Sequence, residues 1–350
     1  MSRRKLSKIT LILLVSAVFI GIAATPSGSK QNVPPSYTVK SSAFAIPNGP
    51  LIFMNDSDLT KYGFSGNGSV DNPYLFDFHN TTLEYAFNST TTGIHIENIT
   101  KHIIIRNVTI SNNNSEVLGT GIRILADNIV IENVTIQNTL NGILMEGENL
   151  HINETTLNSD NFGIWSKGCN NFNITSTTIT GASYGAYFLN CNNTLINDNI
   201  IQNGVNGIQM YGCINFRIEN NWLIQNAGKG LFIIEISPKS GSLNYITRNR
   251  FILNEEQALI MSDDLNVQFY DESTKEGNYW SDWRGWGKHK VQKDIFDLYP
   301  MKIINTEGDL ELASQFPFKF WFWIFAPTLV VLGGFVYFVY WKLIIQPTKQ

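Results

Sequence analysis

The chain has 350 residues, of which 43 % are hydrophobic and only 15 % are charged, and its formal net charge is −4. This length and composition suffice for one or two folded domains, while the basic character that attracts nucleic acid is missing. The 3 cysteines are too few for a disulfide framework. We therefore expect a folded core, no nucleic-acid partner and no cofactor.

The amino-terminal segment, residues 1–24, has the pattern of a secretory signal. Several basic residues between Ser2 and Lys8 precede an uncharged apolar stretch that ends at Ala24. This pattern is typical of a cleaved signal peptide, and an uncleaved signal anchor is the alternative. In both cases the positive end stays in the cytoplasm and the following chain is exported. A linker, residues 25–49, then leads to the body of the protein.

The carboxyl-terminal segment, residues 319–342, is predicted to be a transmembrane helix. No residue from Phe320 to Tyr340 is charged, and the run is long enough to cross a hydrocarbon core of roughly 30 Å. Aromatic residues lie near both of its ends, as they do at lipid interfaces. Residues 302–318 form a juxtamembrane linker and residues 343–350 a cytoplasmic tail. The sequence thus predicts a cell-membrane protein with one span and an extracellular body.

A glycine followed by an apolar residue recurs about every 22 residues through the middle of the chain. The repeated glycines are Gly93, Gly121, Gly142, Gly163, Gly185, Gly207 and Gly230, and Ala258 takes this place in a last unit. Each unit holds three short alternating segments separated by Gly or Asn, which fill one coil of a β-solenoid. Asn suits the corners because it tolerates left-handed backbone angles. We expect an all-β parallel β-helix of about eight coils over residues 92–270.

These coils, with their Asn-x-x-Ile-x-x-Asn phrases, resemble the right-handed β-helix repeats of the pectate-lyase superfold. More closely, they resemble the family of the periplasmic copper-binding protein of nitrous-oxide respiration, also called the carbohydrate-binding and sugar-hydrolysis domain family. Pro50 to Phe78 and Gly277 to Trp283 (GNYWSDW) look like terminal segments of its archaeal surface members. The resemblance implies right-handed coils, an amino-terminal cap over residues 50–91 and a Trp-rich carboxyl-terminal cap over residues 271–301. It indicates little about function, because the superfold hosts many activities.

One register for every coil directs the second and fourth residues after each Gly outward. Four aromatic residues then share an outward surface, an aromatic ladder made of Trp165, Tyr187, Tyr211 and Phe232. Aromatic rings offer apolar area and an electron-rich face to the C–H groups of sugars, so the ladder is a candidate binding surface. The alternative, which we favour slightly, is that the Trp-rich segment Tyr279 to Trp286 folds back and covers it.

We assign no catalytic residue, because no pair of Asp residues recurs from coil to coil on this surface. Two small charged groups lie there, one made of His95, Glu97 and Arg123 and the other of Glu146 and Lys167. Ion pairs on a solvated surface account for both groups.

Cys169, Cys191 and Cys213 each lie six residues after a repeated Gly, so they stack in neighbouring coils roughly 4.8 Å apart. We interpret them first as small apolar residues packed at an inward corner. A disulfide between two neighbours and a soft metal site are the alternatives, and we assign no metal.

Eleven Asn-x-Ser/Thr patterns are candidate glycosylation sites in an exported protein. They begin at Asn55, Asn67, Asn80, Asn88, Asn98, Asn107, Asn113, Asn133, Asn153, Asn173 and Asn192. Because Asn is common at coil corners, several of them are expected to be bare corner residues. If a few are modified, the half of the coil stack away from the membrane is coated with sugar.

The sequence therefore predicts a membrane-anchored extracellular β-helix that acts as a non-catalytic recognition or structural module. Its expected partners are the membrane and a cell-surface glycan or an envelope protein. The first alternative is a lyase, hydrolase or epimerase acting on cell-surface polysaccharide. A second alternative, an accessory to a membrane transporter or to metal delivery, follows from the family resemblance alone.

Overall fold

The computed structural model describes residues 49–85, 91–113, 119–236, 243–262 and 266–301. The predicted signal segment, juxtamembrane linker, transmembrane helix and cytoplasmic tail lie outside these ranges, as does all but the last residue of the predicted amino-terminal linker. Within the ranges, no helix has the length and apolar character needed to cross a membrane.

The described residues form one short 3-10 helix, Asp56–Thr60, and 23 strands. In chain order the strands are β1 Leu51–Phe53, β2 Tyr74–Tyr85, β3 Thr92–Glu97, β4 Ile103–Asn112, β5 Thr120–Leu125, β6 Ile129–Glu146, β7 Glu148–Asn153, β8 Thr156–Lys167, β9 Asn170–Thr175, β10 Thr178–Thr180, β11 Tyr184–Leu189, β12 Asn192–Asn197, β13 Ile200–Gln202, β14 Asn206–Glu219, β15 Trp222–Ile224, β16 Lys229–Ile236, β17 Asn244–Thr247, β18 Arg250–Ile252, β19 Glu256–Met261, β20 Val267–Gln268, β21 Tyr279–Trp280, β22 His289–Gln292 and β23 Ile295–Asp297.

Strands β1 to β21 form one parallel hydrogen-bonded system, and β22 and β23 form a separate antiparallel pair. Each coil passes through three faces. Face 1 contains β1, β3, β5, the end of β6, the end of β8, β11, the start of β14, β16 and β19. Face 2 follows it and ends with β20, and face 3 closes each coil and ends with β21. The predicted all-β parallel β-helix is therefore confirmed.

The predicted amino-terminal cap contributes a further coil ahead of the repeat. Leu51 of β1 pairs with Ile94, and Tyr74 of β2 pairs with Ile103. The ring of Phe64 stacks on that of Phe76, with centroids 3.8 Å apart. An aromatic plug thus closes this end of the stack.

The core is a set of inward rows in which the same position of each coil lies above the next. Ile122, Ile143, Ile164 and Ala186 pair in register, and each is at most 1 % exposed. Complete burial of one such isoleucine contributes about 1.5–3 kcal/mol. The outward residues between them alternate with these positions, as the period of two requires.

The repeated glycine is required by close packing at the corner between face 3 and face 1. A Cβ atom on Gly163 would lie 2.3 Å from Cγ2 of Ile179 and 2.5 Å from the carbonyl oxygen of Gly185. Neither distance is tolerable, and the second atom belongs to the backbone of the next coil. In these coils the corner therefore admits no side chain. The prediction that Ala258 takes the glycine position in the last unit is wrong, because Ala258 pairs with Leu231 and Gln257 lies opposite Gly230.

Asparagine occupies the corners in the left-handed conformation that the sequence predicts. Asn128, Asn149, Asn171 and Asn193 have φ between 52° and 60°. The side-chain amide of Asn149 donates to Oδ1 of Asn128 at 3.0 Å, and that of Asn171 donates to Oδ1 of Asn149 at 3.0 Å. The outer corner asparagines thus also hold neighbouring coils together.

A second asparagine ladder is fully buried at the corner between faces 2 and 3. Asn199, Asn221, Asn249 and Asn278 are all 0 % exposed. In each step the Oδ1 atom accepts from the backbone N–H of the preceding asparagine, at 2.9–3.0 Å. At the end of the row, Oδ2 of Asp297 accepts from the backbone N–H of Asn278 at 2.6 Å. Buried polar groups of this kind are tolerated because every step is paired.

Candidate functional site

The predicted aromatic ladder lies on the outward surface of face 1. Trp165 and Tyr187 pair directly across neighbouring coils, whereas Gln209 separates Tyr187 from Phe232. Tyr211 belongs to the adjacent outward row, two residues beyond Gln209 on the same strand. The structure thus brings Trp165 and Tyr187 together and leaves Tyr211 and Phe232 farther along the face.

Two further aromatic residues, which the sequence reasoning missed, join this pair. The rings of Phe162 and Tyr184 stack with centroids 5.1 Å apart, and the ring of Tyr187 lies 5.7 Å from each. Phe162 and Tyr184 immediately precede a repeated glycine and lie three residues before Trp165 and Tyr187. A strict period of two places residues three apart on opposite sides of a strand, so the alternation could not identify them. The available signal was an aromatic residue at the same place before the glycine in two neighbouring coils. Burial raises the pKa of Tyr187, so its hydroxyl stays protonated.

An open groove of about 460 Å³ lies beside this aromatic cluster on face 1. Its outward lining combines aromatic and aliphatic side chains with amides and charges, namely Arg123, Leu125, Asn141, Leu144, Glu146, Asn161, Phe162 and Trp165. This volume lies within the range of small-ligand sites, and the mixture of apolar surface with a few polar groups is typical of them. We call it the face 1 groove.

The charged side chains around the face 1 groove differ in whether they have a partner. Glu146 lies 3.8 Å from the ammonium of Lys167, and both side chains are about half exposed. In the first predicted group, Nε2 of His95 lies 3.1 Å from Glu97. Arg123 has no hydrogen bond or ion pair within the part of the chain that the structure describes. The groove therefore presents one free guanidinium.

The groove lining contains a single carboxylate, that of Glu146. Glycoside hydrolysis with two carboxylates needs a second one on the other side of the scissile bond. Over the described ranges, no three His, Cys, Asp or Glu side chains are grouped so as to hold a metal ion. The geometry thus offers contacts for binding a ligand more clearly than a pair of groups for cleaving one.

The expectation that the Trp-rich segment covers the aromatic ladder is wrong. Tyr279 and Trp280 form β21 at the end of face 3, where the ring of Trp280 lies 4.3 Å from that of Phe251. Trp283 packs against the core at this end, and Trp286 is 87 % exposed. The rings of Trp280 and Trp283 continue the inward column of the coils and cover the end of the core at the last coil.

The other two ladder residues have polar neighbours of their own. The ammonium of Lys229 lies 5.0 Å from the ring centroid of Phe232, within reach of a cation–π contact. Tyr211 is 37 % exposed, and its hydrogen bond with Glu235 raises the pKa of Tyr211. Neither Tyr211 nor Phe232 belongs to the lining of the face 1 groove.

Face 2 carries another depression, of about 600 Å³, lined mainly by asparagine amides together with Leu195, Arg217 and Glu219. Its charges are already satisfied, because the Nε atom of Arg217 lies 2.5 Å from Glu219 and Arg248 contacts the other oxygen of this carboxylate at 2.5 Å. It offers neither an aromatic platform nor a free charge.

The three cysteines are free and buried, each 1 % exposed. The backbone N–H of Cys191 donates to Sγ of Cys213 at 3.4 Å, and Sγ of Cys191 lies 3.2 Å from the hydroxyl of Ser166. The hydrogen bond with Cys191 and burial raise the pKa of the Cys169 thiol, and they act on Cys213 in the same direction. The geometry is that of small side chains packed in a buried corner.

The candidate glycosylation sites differ in whether their amide nitrogen donates a hydrogen bond and in how exposed they are. Nδ2 of Asn107 donates to Asp77, that of Asn133 to Asn107 and that of Asn192 to Asn170, at 2.8–3.1 Å. The exposed members are Asn55, Asn67, Asn80, Asn98, Asn113 and Asn133, and Asn153 and Asn173 are half-buried. Asn88 lies outside the described residues.

Comparison with known proteins agrees with the observed architecture. Residues 120–273 match the family described as right handed beta helix region. The fold is a right-handed parallel β-helix. No curated protein matches the chain by sequence at a significant level.

Several solved structures resemble the chain at low identity. Alginate lyase from Paenibacillus sp. str. FPU-7 is 14 % identical with a TM-score of 0.39, covering 66 % of this chain and 86 % of that chain. Lacto-N-biosidase from Eubacterium ramulus is 10 % identical with a TM-score of 0.36, covering 63 % and 60 %. Pectate lyase Pel9A is 10 % identical with a TM-score of 0.35, covering 69 % and 81 %. Likeness at this level shows nothing about activity.

Proposed function

We propose that this β-helix is a carbohydrate-recognition module, and that the face 1 groove binds a cell-surface glycan. The observation that carries the proposal is the position of Trp165 and Phe162 in an open groove whose other outward residues supply amides and charges. Sugar rings present C–H surfaces that pack on aromatic rings and hydroxyls that pair with amides and carboxylates. The described Trp-rich cap lies at the end of the stack and leaves this surface accessible.

The predicted export signal and carboxyl-terminal span support a place for the module at the cell surface. A coil stack tethered at one end holds the groove away from the bilayer, where envelope glycans are within reach. The membrane anchor, the extracellular location and the kinship with archaeal surface members are parts of this proposal.

A tryptophan substitution tests the groove. We expect Trp165→Ala in the full-length protein, purified in detergent, to weaken retention on a glycan array or on native envelope by tenfold or more, since an aromatic stack contributes about 0.5–1.5 kcal/mol beyond its buried area. Trp165→Phe should retain most of the binding. Trp286→Ala is the matched control, because that tryptophan is 87 % exposed and lies in the cap. Equal retention of all three variants and the wild type would refute the site.

The runner-up is an enzyme that acts on the same polysaccharide. Glu146 and Lys167, 3.8 Å apart beside Arg123, are the groups that favour it, because a base and a cation near a bound sugar can serve an elimination. Release of new reducing ends or unsaturated sugars, lost in Glu146→Gln, would establish the enzyme. We expect no turnover and unchanged glycan chain length after prolonged incubation.

A further inference from the structure

The guanidinium of Arg123 is the feature of the face 1 groove that neutral sugars leave unexplained. Arg123 lies in β5 with its side chain outward and exposed, between His95 and Leu144 in the neighbouring coils. Leu144 in turn pairs with Trp165. Arg123 and Trp165 therefore occupy one row, two coil spacings apart, which is roughly 10 Å along the stack.

Both carboxylates nearest to Arg123 along the face have other partners. Glu97 pairs with His95 at 3.1 Å, and Glu146 faces the ammonium of Lys167 at 3.8 Å. Because Glu146 is offset by Lys167, the guanidinium of Arg123 is the charge in the groove lining that has no partner among the described residues. The charge is not part of the packing, because nothing in the described chain binds it.

The arginines on face 2 show what a structural arginine looks like in this fold. Arg106 contacts Asp77 at 2.8 Å, and Arg217 and Arg248 both contact Glu219 at 2.5 Å. Each belongs to a network that links neighbouring strands or coils. Arg123 also points outward from its strand, but it has no such partner. It therefore differs from the other three arginines in its surroundings and not in its orientation.

We propose that the face 1 groove selects glycans with a negatively charged substituent, a carboxylate or a sulfate, and that Arg123 binds this group. The inference rests on the proposed function of the groove. A guanidinium offers two parallel N–H donors that match the oxygens of a carboxylate or sulfate. A ligand that stacks one ring on Trp165 and continues along the row brings a substituent two coils away onto Arg123. Asn161, whose Nδ2 donates to Oδ1 of Asn141 at 3.5 Å, keeps its own Oδ1 for a sugar hydroxyl.

The test uses matched pairs of ligands on the full-length protein in detergent. One pair is hexaglucuronate and its carboxyl-reduced counterpart, and the other is a sulfated hexasaccharide and its desulfated form. We expect the wild type to prefer the charged member of at least one pair, with a preference that shrinks as salt is raised from 50 to 500 mM, because the contact lies near the surface. Arg123→Gln should lower affinity for the charged member about tenfold or more and leave the neutral member unchanged.

Arg284→Gln is the control, since Arg284 is an exposed arginine of the cap and its loss changes the net charge equally. If this variant loses the preference as well, the effect is long-range and the inference fails. It also fails if the wild type binds both members of each pair equally, or if Arg123→Gln weakens both members alike. Trp165→Ala distinguishes failure of this inference from failure of the proposed function. It should weaken binding of both members of each pair, and unchanged binding of both members would refute the groove itself.

Discussion

Gln292 binds both backbone groups of Ile260 with the two ends of its side-chain amide. Its Oε1 accepts from the N–H of Ile260 at 2.8 Å, and its Nε2 donates to the carbonyl oxygen of Ile260 at 2.9 Å. Ile260 lies in β19, the last described strand of face 1, so no further strand in the described part of the chain pairs with its outer edge. The cap thus blocks an edge that would otherwise recruit another chain.

Replacing Gln292 by Ala should expose this edge. We expect the free energy of unfolding to fall by about 1–3 kcal/mol, because two half-buried hydrogen bonds to the backbone are lost. We also expect concentration-dependent association, measured by light scattering below the unfolding transition. Gln202→Ala on face 3 serves as the control, and equal behaviour of the two variants would mean that the edge needs no protection.

Asp297 gives the cap a distinctive pH dependence. Its carboxylate accepts from the indole N–H of Trp280 at 2.9 Å and from the backbone of Tyr299 at 3.0 Å, yet burial dominates and raises the pKa of Asp297. Between the ordinary pKa and this raised value, the folded protein keeps a proton that the unfolded chain has released. The contribution of Asp297 to stability therefore decreases as pH rises through that window.

Denaturant unfolding of the wild type and Asp297→Asn from about pH 4 to 7 measures this contribution. Asparagine lacks one acceptor oxygen and should cost about 1–3 kcal/mol, with the gap between the two proteins narrowing as pH rises. A gap that widens with pH would show that the hydrogen bonds lower the pKa of Asp297 more than burial raises it.

The buried asparagine ladder should be the most sensitive polar feature of the stack. In Asn249→Ala, the backbone N–H of Asn221 loses its acceptor at 3.0 Å and the carbonyl oxygen of Ile218 loses its donor at 2.7 Å. We expect a loss of about 3 kcal/mol or more in thermal or denaturant unfolding. Asn171→Gly, which keeps the left-handed angle of an outer corner, should cost less than about 1 kcal/mol. Similar losses would mean that burial of the ladder is unimportant.

The sequence predicts most of the stack because its determinants are local and repeated. Gly163 shows why: the corner glycine is required by packing that recurs from Gly121 to Gly230, so its spacing alone reveals the period. The alternation around Ile122 and Ile143 likewise specifies which side chains face the core. On face 1 the same alternation correctly directs Trp165 and Tyr187 outward.

The cap and the partners of the charges could not be predicted in this way. Gln292 and Ile260 are 32 residues apart and follow no repeat, so nothing local indicates their contact. The lack of a partner for Arg123 depends on which way Glu97 turns, toward His95 in its own strand. Which partner a charged side chain contacts depends on side-chain geometry, and the periodicity of the sequence does not specify that geometry.

A thiol titration and elemental analysis distinguish three chemical states of the cysteine row, namely free thiols, a disulfide and a metal site. Since all three thiols are 1 % exposed, we expect no reaction with an aromatic disulfide reagent in the native protein and reaction of all three in denaturant without reductant. A disulfide would leave a single reactive thiol after unfolding. A metal site would show as stoichiometric copper or zinc in elemental analysis of the purified protein.

Candidate sites whose amide nitrogen donates a hydrogen bond should carry a glycan less often than sites whose amide nitrogen donates none. Asn80 and Asn133 are matched, because both are exposed, both have positive φ, of 60° and 49°, and both have Thr two residues later. Nδ2 of Asn133, the atom that receives the sugar, donates to Oδ1 of Asn107 at 2.8 Å, whereas no hydrogen bond of the Asn80 side chain occurs among the described residues. In a host that modifies exported proteins, we expect glycopeptide mapping to find Asn80 occupied and Asn133 bare. Higher occupancy at Asn133 would show that sugar transfer precedes coil formation, since only an unfolded chain leaves that amide free.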